Sequence, residues 1–185
     1  MNLPNKITIF RVIMVPFFLI FYMIPGIPGG KWIALAIFII ASISDMVDGK
    51  LARKYGLVTD FGKFMDPLAD KLLVCSAMIA LIPNGRIMAW VVIVIIAREF
   101  AISGFRLVAA DNGTVIAASM WGKVKTTVTM IMIGFLIGNL GENIPSIATY
   151  VRAFELVLIY VSAALTVISL IDYMVKNKEV ISTTK

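Results

Sequence analysis

Six long apolar runs occupy most of this 185-residue sequence, and each is long enough to cross a lipid bilayer as a helix. They cover about residues 7–24, 32–48, 64–82, 87–110, 124–140 and 151–175. Apolar residues follow one another without alternation, which favours helices over the strands of a membrane barrel. Hydrophobic residues make up 60% of the chain and charged residues only 15%, unlike a soluble domain. The sequence therefore predicts an all-α integral membrane protein, a six-transmembrane-helix bundle that forms one domain over residues 1–185.

The basic residues are distributed unevenly among the segments that connect these runs. Thirteen lie on the side that holds both chain ends, three lie on the other side (Lys31, Arg86 and Arg152), and Arg98 lies within the fourth run. Because basic segments stay in the cytoplasm, both termini are predicted to be cytoplasmic, in a multi-pass protein of the cell membrane. The net charge of +6 is expected to favour anionic lipid. The basic residues are scattered between apolar runs, so no nucleic-acid partner is expected.

Two aspartates lie at the end of the second run and two at the start of the third. Asp45 and Asp48 are three residues apart, and Asp66 and Asp70 are four apart, so each pair shares one face of a helix. The short connection between the runs predicts antiparallel neighbouring helices on which the two pairs converge. At about 4 Å, two carboxylates repel by about 4 kcal/mol with an effective dielectric near 20, so cations must balance the cluster.

The residue types narrow the choice of cation. The sequence contains no histidine and a single cysteine, Cys75, which excludes histidine-based catalysis, histidine metal ligands and an intrachain disulfide. Carboxylate oxygens alone suit a hard divalent ion such as Mg²⁺ or Mn²⁺. Two such ions held by shared carboxylates are typical of phosphoryl-transfer sites.

Two other interpretations of the aspartates stay open on spacing alone. The carboxylates could be helix-end charges paired with Arg53, Lys54 and Lys71. They could also form the ion site of a divalent-metal transporter, although transporters place such sites near the bilayer midplane on broken helices. Here the aspartates lie at the predicted cytoplasmic ends, together with basic residues, which favours an anionic substrate.

The pattern D-x-x-D-G-x-x-A-R, followed by G-x-x-x-D-x-x-x-D, resembles the signature of the CDP-alcohol phosphatidyltransferases. Its fixed positions are Asp45, Asp48, Gly49, Ala52, Arg53, Gly62, Asp66 and Asp70. The resemblance implies six membrane helices, a homodimer, and attack of an alcohol on the β-phosphorus of a CDP-linked lipid with release of CMP. It implies two metal ions bound by Asp45, Asp48, Asp66 and Asp70, of which Asp70 is also the general base. It further implies a CDP-lipid site at Asp48, Gly49, Ala52, Arg53 and Gly62, where small residues let cytidine approach the helix backbone.

Three further segments resemble the branch of this family that uses glycerol 3-phosphate as acceptor: NLPNKITIFR near the N-terminus, AREFAISGFR in the fourth run and GKVKT at the start of the fifth. The implied reaction transfers the phosphatidyl group of CDP-diacylglycerol to glycerol 3-phosphate. Inositol phosphate, serine and phosphatidylglycerol are the alternative acceptors.

The same segments contain charged side chains at unusual places for a membrane protein. Charged residues inside a membrane run indicate function, and cations there suit a phosphate-bearing acceptor. The residues predicted to bind that phosphate are Arg98, Arg106, Lys123, Lys125, Thr8 and Arg11. Glu99 shares a helix face with Arg106 and is expected to orient it. The alternative for the lysines and arginines is interfacial anchoring, and for Thr8 and Arg11 a capped helix start.

Overall fold

The computed structural model describes the backbone of residues 3–55, 60–111, 113, 116–117 and 119–178. Side chains are described within these ranges except at residues 3, 4, 45–55, 60–64, 66 and 143. The long helices are α1 (Leu3–Met23), α2 (Gly30–Tyr55), α3 (Asp60–Leu81), α4 (Ala89–Asp111), α5 (Met120–Gly138) and α7 (Ala148–Lys176). A short helix, α6 (Leu140–Asn143), and a 3₁₀ turn (Pro145–Ile147) precede α7. The described residues contain no strand, which confirms the all-α prediction.

Each long helix contains most of one predicted apolar run, and the largest difference lies after Asp48. The polar stretch there does not end the helix, because α2 continues to Tyr55 and α3 begins at Asp60. This extension contains four residues of high helix propensity, Lys50, Leu51, Ala52 and Arg53. The signature positions that follow Asp48 therefore continue the same helix.

The first of two compact units comprises residues 1–86 and 133–139, and thus α1, α2, α3 and the last part of α5. Helix α1 packs against both α2 and α3. Phe18 of α1 is fully buried, and its ring centroid lies 6.5 Å from that of Phe38 on α2. A Cβ atom at Gly30 would lie only 2.5 Å from the carbonyl oxygen of Phe21, so the turn between α1 and α2 requires glycine there.

The second unit comprises residues 87–132 and 140–185, and thus α4, most of α5, α6 and α7. Helices α4 and α7 pack side by side and run in the same direction. The Trp90 ring near the start of α4 meets the Tyr160 ring in the middle of α7, with centroids 6.5 Å apart. Further along both helices, the Phe105 and Tyr173 rings meet at 5.6 Å. The order of these contacts along both helices establishes the parallel arrangement.

Several helices have the length and composition of membrane spans. Three apolar segments are long enough to cross a bilayer: Asn5–Met23, Met120–Glu142 and Pro145–Lys176. A shorter apolar helical segment covers Gly30–Ser44. Large apolar side chains lie exposed along the helices, as expected for a surface in contact with lipid. The chain is thus built as a helical membrane protein. Helix α4 carries Arg98 and Glu99 within its apolar stretch, and α3 carries Asp66 and Asp70 in its first half.

Candidate functional site

The four aspartates of the signature lie on consecutive helices that contact each other. Asp45 and Asp48 belong to α2, and Asp66 and Asp70 belong to α3. The helical backbone at both pairs gives each pair one face, as the spacing predicted. The donor set consists of carboxylate oxygens, which fits Mg²⁺ or Mn²⁺.

Most side chains of the signature lie outside the described residues. This holds for Asp45, Asp48, Gly49, Ala52, Arg53, Gly62 and Asp66. Their predicted roles as metal ligands and CDP-lipid contacts therefore stay predictions. Asp70 is described, and it lies partly buried beside the fully buried Ala69. Its neighbour Lys71 donates a hydrogen bond to the Pro67 carbonyl oxygen at 3.3 Å.

A polar stripe on α1 is buried in the first unit. Asn5, Thr8 and Arg11 follow one another at three-residue spacing and are 7%, 1% and 0% exposed. A guanidinium is buried only where opposite charge or hydrogen-bond acceptors surround it. The interior side of α1 at its N-terminal end is therefore polar, on a helix that packs against both signature helices.

A groove lies between α1 and α2 in the same unit. Its volume is about 540 Å³, and its lining residues are Lys6, Ile7, Phe10, Ile40, Ile43 and Ser44. The lining is apolar except at Lys6 and Ser44. Because Ser44 directly precedes Asp45, the groove ends beside the first aspartate of the signature.

The second unit contains a buried charged cluster, which we call the basic triad: Arg98, Glu99 and Lys125. One carboxylate oxygen, Oε1 of Glu99, accepts from Arg98 Nη1 at 2.9 Å and from Lys125 Nζ at 2.7 Å. The Arg98 and Lys125 side chains are only 9% and 3% exposed. Two cations thus share one carboxylate oxygen inside the second unit.

Helix α7 completes the surroundings of Arg98. Arg98 Nε donates to the hydroxyl of Ser169 at 3.1 Å, and that hydroxyl donates to the Thr166 carbonyl oxygen at 2.9 Å. On the other side, a Cβ atom at Gly122 would lie 3.4 Å from Arg98 Nη2. The guanidinium thus lies among α4, α5 and α7.

Arg106 and Lys123 lie outside this cluster, on exposed positions. Arg106 donates from Nε and Nη2 to the carbonyl oxygen of Ile116, at 3.3 and 3.0 Å. The expectation that Glu99 orients Arg106 was wrong, because Glu99 binds Arg98 and Lys125. Arg106 lies seven residues further along α4, about 10 Å along the helix axis, whereas Lys125 approaches Glu99 from a neighbouring helix.

The model of the family described as CDP-alcohol phosphatidyltransferase matches residues 1–174. The chain belongs to this family. A CDP-diacylglycerol–glycerol-3-phosphate 3-phosphatidyltransferase of Bacillus subtilis is 45% identical, over 98% of both chains. The Haemophilus influenzae protein of the same name is 38% identical, over 94% of this chain and 91% of its own. A probable phosphatidylglycerophosphate synthase of Mycobacterium tuberculosis is 40% identical, over 95% of this chain and 81% of its own.

In this CDP-alcohol phosphatidyltransferase, the structure adds residues that the sequence reasoning missed. Ser162, Thr166, Ser169 and Tyr173 are buried on one face of α7. The Ser162 and Thr129 hydroxyls are 2.7 Å apart and join α7 to α5. The signal was present in the sequence, because these polar residues recur at four- and three-residue intervals within an otherwise apolar run.

Proposed function

We propose that this protein transfers the phosphatidyl group of CDP-diacylglycerol to glycerol 3-phosphate, giving phosphatidylglycerophosphate and CMP. The basic triad is the observation that carries the choice of acceptor. The buried cations Arg98 and Lys125 suit a phosphate-bearing acceptor, whereas an acceptor without net charge, such as serine, does not require them. The names of the relatives support glycerol 3-phosphate over inositol phosphate or phosphatidylglycerol.

The family signature supplies the proposed reacting centre. We assign Asp45, Asp48, Asp66 and Asp70 to two divalent ions, Mg²⁺ or Mn²⁺. Bound there, the ions would balance the charge of the carboxylates and of the diphosphate. The CDP-lipid contacts are assigned to Asp48, Gly49, Ala52, Arg53 and Gly62.

The proposed chemistry is an in-line displacement at phosphorus. The acceptor hydroxyl oxygen forms a bond to the β-phosphorus of the CDP-lipid, and the bond from that phosphorus to the CMP oxygen breaks. The hydroxyl proton passes to Asp70, since the chain has no histidine to take it. Partial burial keeps Asp70 in contact with solvent, into which the proton leaves later.

The acceptor phosphate is assigned first to Arg98 and Lys125 of the basic triad. Arg106 and Lys123 are exposed on the same two helices and are proposed to attract the acceptor. Thr8 and Arg11 are buried on α1 and are proposed to contact the acceptor as well.

The proposed membrane arrangement has six spans, cytoplasmic termini and a cytoplasmic active site in the cell membrane, and the protein is proposed to be a homodimer. The parallel packing of α4 and α7 supports alternating spans, because one long helix, α5, lies between them in the chain. The charge distribution supports the orientation.

A detergent assay with purified protein, Mg²⁺ and CDP-diacylglycerol tests the function. Glycerol 3-phosphate should cause release of CMP and formation of phosphatidylglycerophosphate, whereas serine, inositol phosphate and phosphatidylglycerol should not. CMP release with only one of the other alcohols would reassign the acceptor. No CMP release with any alcohol, combined with divalent-ion uptake into proteoliposomes, would indicate a transporter.

A further inference from the structure

The Arg98 side chain is fixed by two different helices. Its Nε donates to Ser169 on α7, and its Nη1 donates to the neighbouring Glu99 on α4. Arginine carries its donors in one rigid plane, so two hydrogen bonds made by different nitrogen atoms fix the orientation of the whole guanidinium. Fixing a long, flexible side chain in this way removes rotamer freedom before any ligand binds.

The third nitrogen, Nη2, is left for another partner. Among the described residues, no hydrogen bond is made by Nη2 of Arg98. The glycine at position 122 leaves room on one side of Nη2, because a Cβ atom there would lie 3.4 Å from Nη2, in van der Waals contact with it. The Arg98 side chain as a whole is 9% exposed, so it is not completely closed off from a ligand.

The groups that hold Arg98 also bind other partners. Its Oε1 already accepts from both Arg98 and Lys125, and the hydroxyl of Ser169 donates to Thr166. The neutral Ser169 therefore restrains Arg98 without cancelling its charge. A second carboxylate at position 169 would make the same contact but would neutralise the site.

We infer that Ser169 and Gly122 are positioning residues for the acceptor phosphate: Ser169 holds the guanidinium of Arg98 in place, and Gly122 leaves its Nη2 accessible to a phosphate oxygen. This rests on the proposed function, which it deepens by assigning a role to α7. Neither residue touches the reacting atoms, and both act through Arg98.

The test is a double-mutant cycle with Michaelis constants as the readout. Ser169→Ala and Gly122→Ala should each raise the constant for glycerol 3-phosphate about tenfold, near the effect of one hydrogen bond to a charged group. The constant for CDP-diacylglycerol should stay unchanged. Ser169→Thr retains the hydroxyl and should restore most of the affinity. In an Arg98→Ala background, Ser169→Ala should add no further increase.

Ser162→Ala is the matched control, because Ser162 is also a fully buried serine on α7 that bonds to a side chain of another helix. It should lower thermal stability without changing the ratio of the two Michaelis constants. An equal effect of Ser169→Ala with and without Arg98, or an unchanged constant for glycerol 3-phosphate, would overturn the inference. Wild-type protein that releases no CMP with glycerol 3-phosphate would overturn the proposed function itself, and the inference with it.

Discussion

Asp70 has two proposed roles. It is proposed to bind metal and to accept the proton of the acceptor hydroxyl. A nearby divalent ion stabilises the carboxylate and weakens it as a base. The same charge stabilises the transferring phosphate, which lessens the demand for a strong base. Its place one helical turn beyond Asp66 allows both roles from one face of α3.

Asp70→Asn keeps the shape of the side chain and removes the base. We expect turnover to fall about 10²–10⁴-fold, the usual range for loss of a general base. Binding of the CDP-lipid, measured by equilibrium titration, should largely persist. Near wild-type turnover at saturating Mg²⁺ would show that another group takes the proton.

Removal of divalent ions should abolish turnover, because four carboxylates on two neighbouring helices need balancing cations. Excess EDTA should stop CMP release, and added Mg²⁺ or Mn²⁺ should restore it. Asp45→Asn, Asp48→Asn and Asp66→Asn should also abolish turnover while the protein still inserts into the membrane. Full activity in EDTA would contradict the two-metal proposal.

Lys125 and Lys123 lie two residues apart on α5, so their substitutions can be compared directly. Lys125 is buried and bound to Glu99, whereas Lys123 is exposed. Lys125→Ala should raise the Michaelis constant for glycerol 3-phosphate about tenfold or more, as expected for loss of a charge-assisted contact. Glu99 keeps its bond to Arg98 in this variant, so no carboxylate is left unpaired. Lys123→Ala should change the constant much less, and equal effects of the two variants would contradict the assignment.

At the scale of the helices, α1 and α2 together form the groove described above. The groove between them is apolar along Ile40 and Ile43 and ends at Ser44, next to Asp45. If the diphosphate of the lipid lies at the signature, the groove can hold part of an acyl chain. Lys6, which lines the groove, can then contact a phosphate of the same lipid. We propose this groove as the acyl-chain site of the CDP-lipid.

Ile43→Trp should fill the groove and raise the Michaelis constant for long-chain CDP-diacylglycerol, with that for glycerol 3-phosphate unchanged. Ile39→Trp is the control, because Ile39 is equally an exposed isoleucine of α2 but does not line the groove. The comparison is made in mixed micelles of fixed composition. Indistinguishable constants for the two variants would place the acyl chain elsewhere.

The helices and the signature were predictable because their signals are local. Apolar run length located the long helices, and three- and four-residue spacing placed each aspartate pair on one face. The pairing of Glu99 was not predictable, because its choice between Arg106 and Lys125 depends on which helix packs against α4. The spacing of polar residues could have placed Ser169 on a buried face of α7, but its contact with Arg98 was not predictable, since 71 positions separate the two residues.

The whole molecule is proposed to cross the membrane six times. The side of the membrane on which each connecting segment lies tests this arrangement. Reporter fusions after Pro28, Asn84 and Ser146 should read as external, because these exposed positions lie on the side with few basic residues. Fusions after Asp111 and Lys178 should read as cytoplasmic. A cytoplasmic signal at any of the first three sites would contradict the arrangement.

The contact between Arg98 and Glu99 also bears on biosynthesis. The ribosome completes α4 before it makes α5 or α7, so Lys125 and Ser169 do not yet exist when Arg98 first meets the translocon. A lone arginine in the middle of a helix costs about 2.5–3.5 kcal/mol on insertion scales. Glu99 is the adjacent residue and lies 2.9 Å from the guanidinium, so in the proposed arrangement of six spans α4 carries its own counter-ion into the bilayer. In that arrangement the nascent α4 enters the membrane with Arg98 and Glu99 as a neutral pair, and Lys125 binds the same carboxylate once α5 has been made.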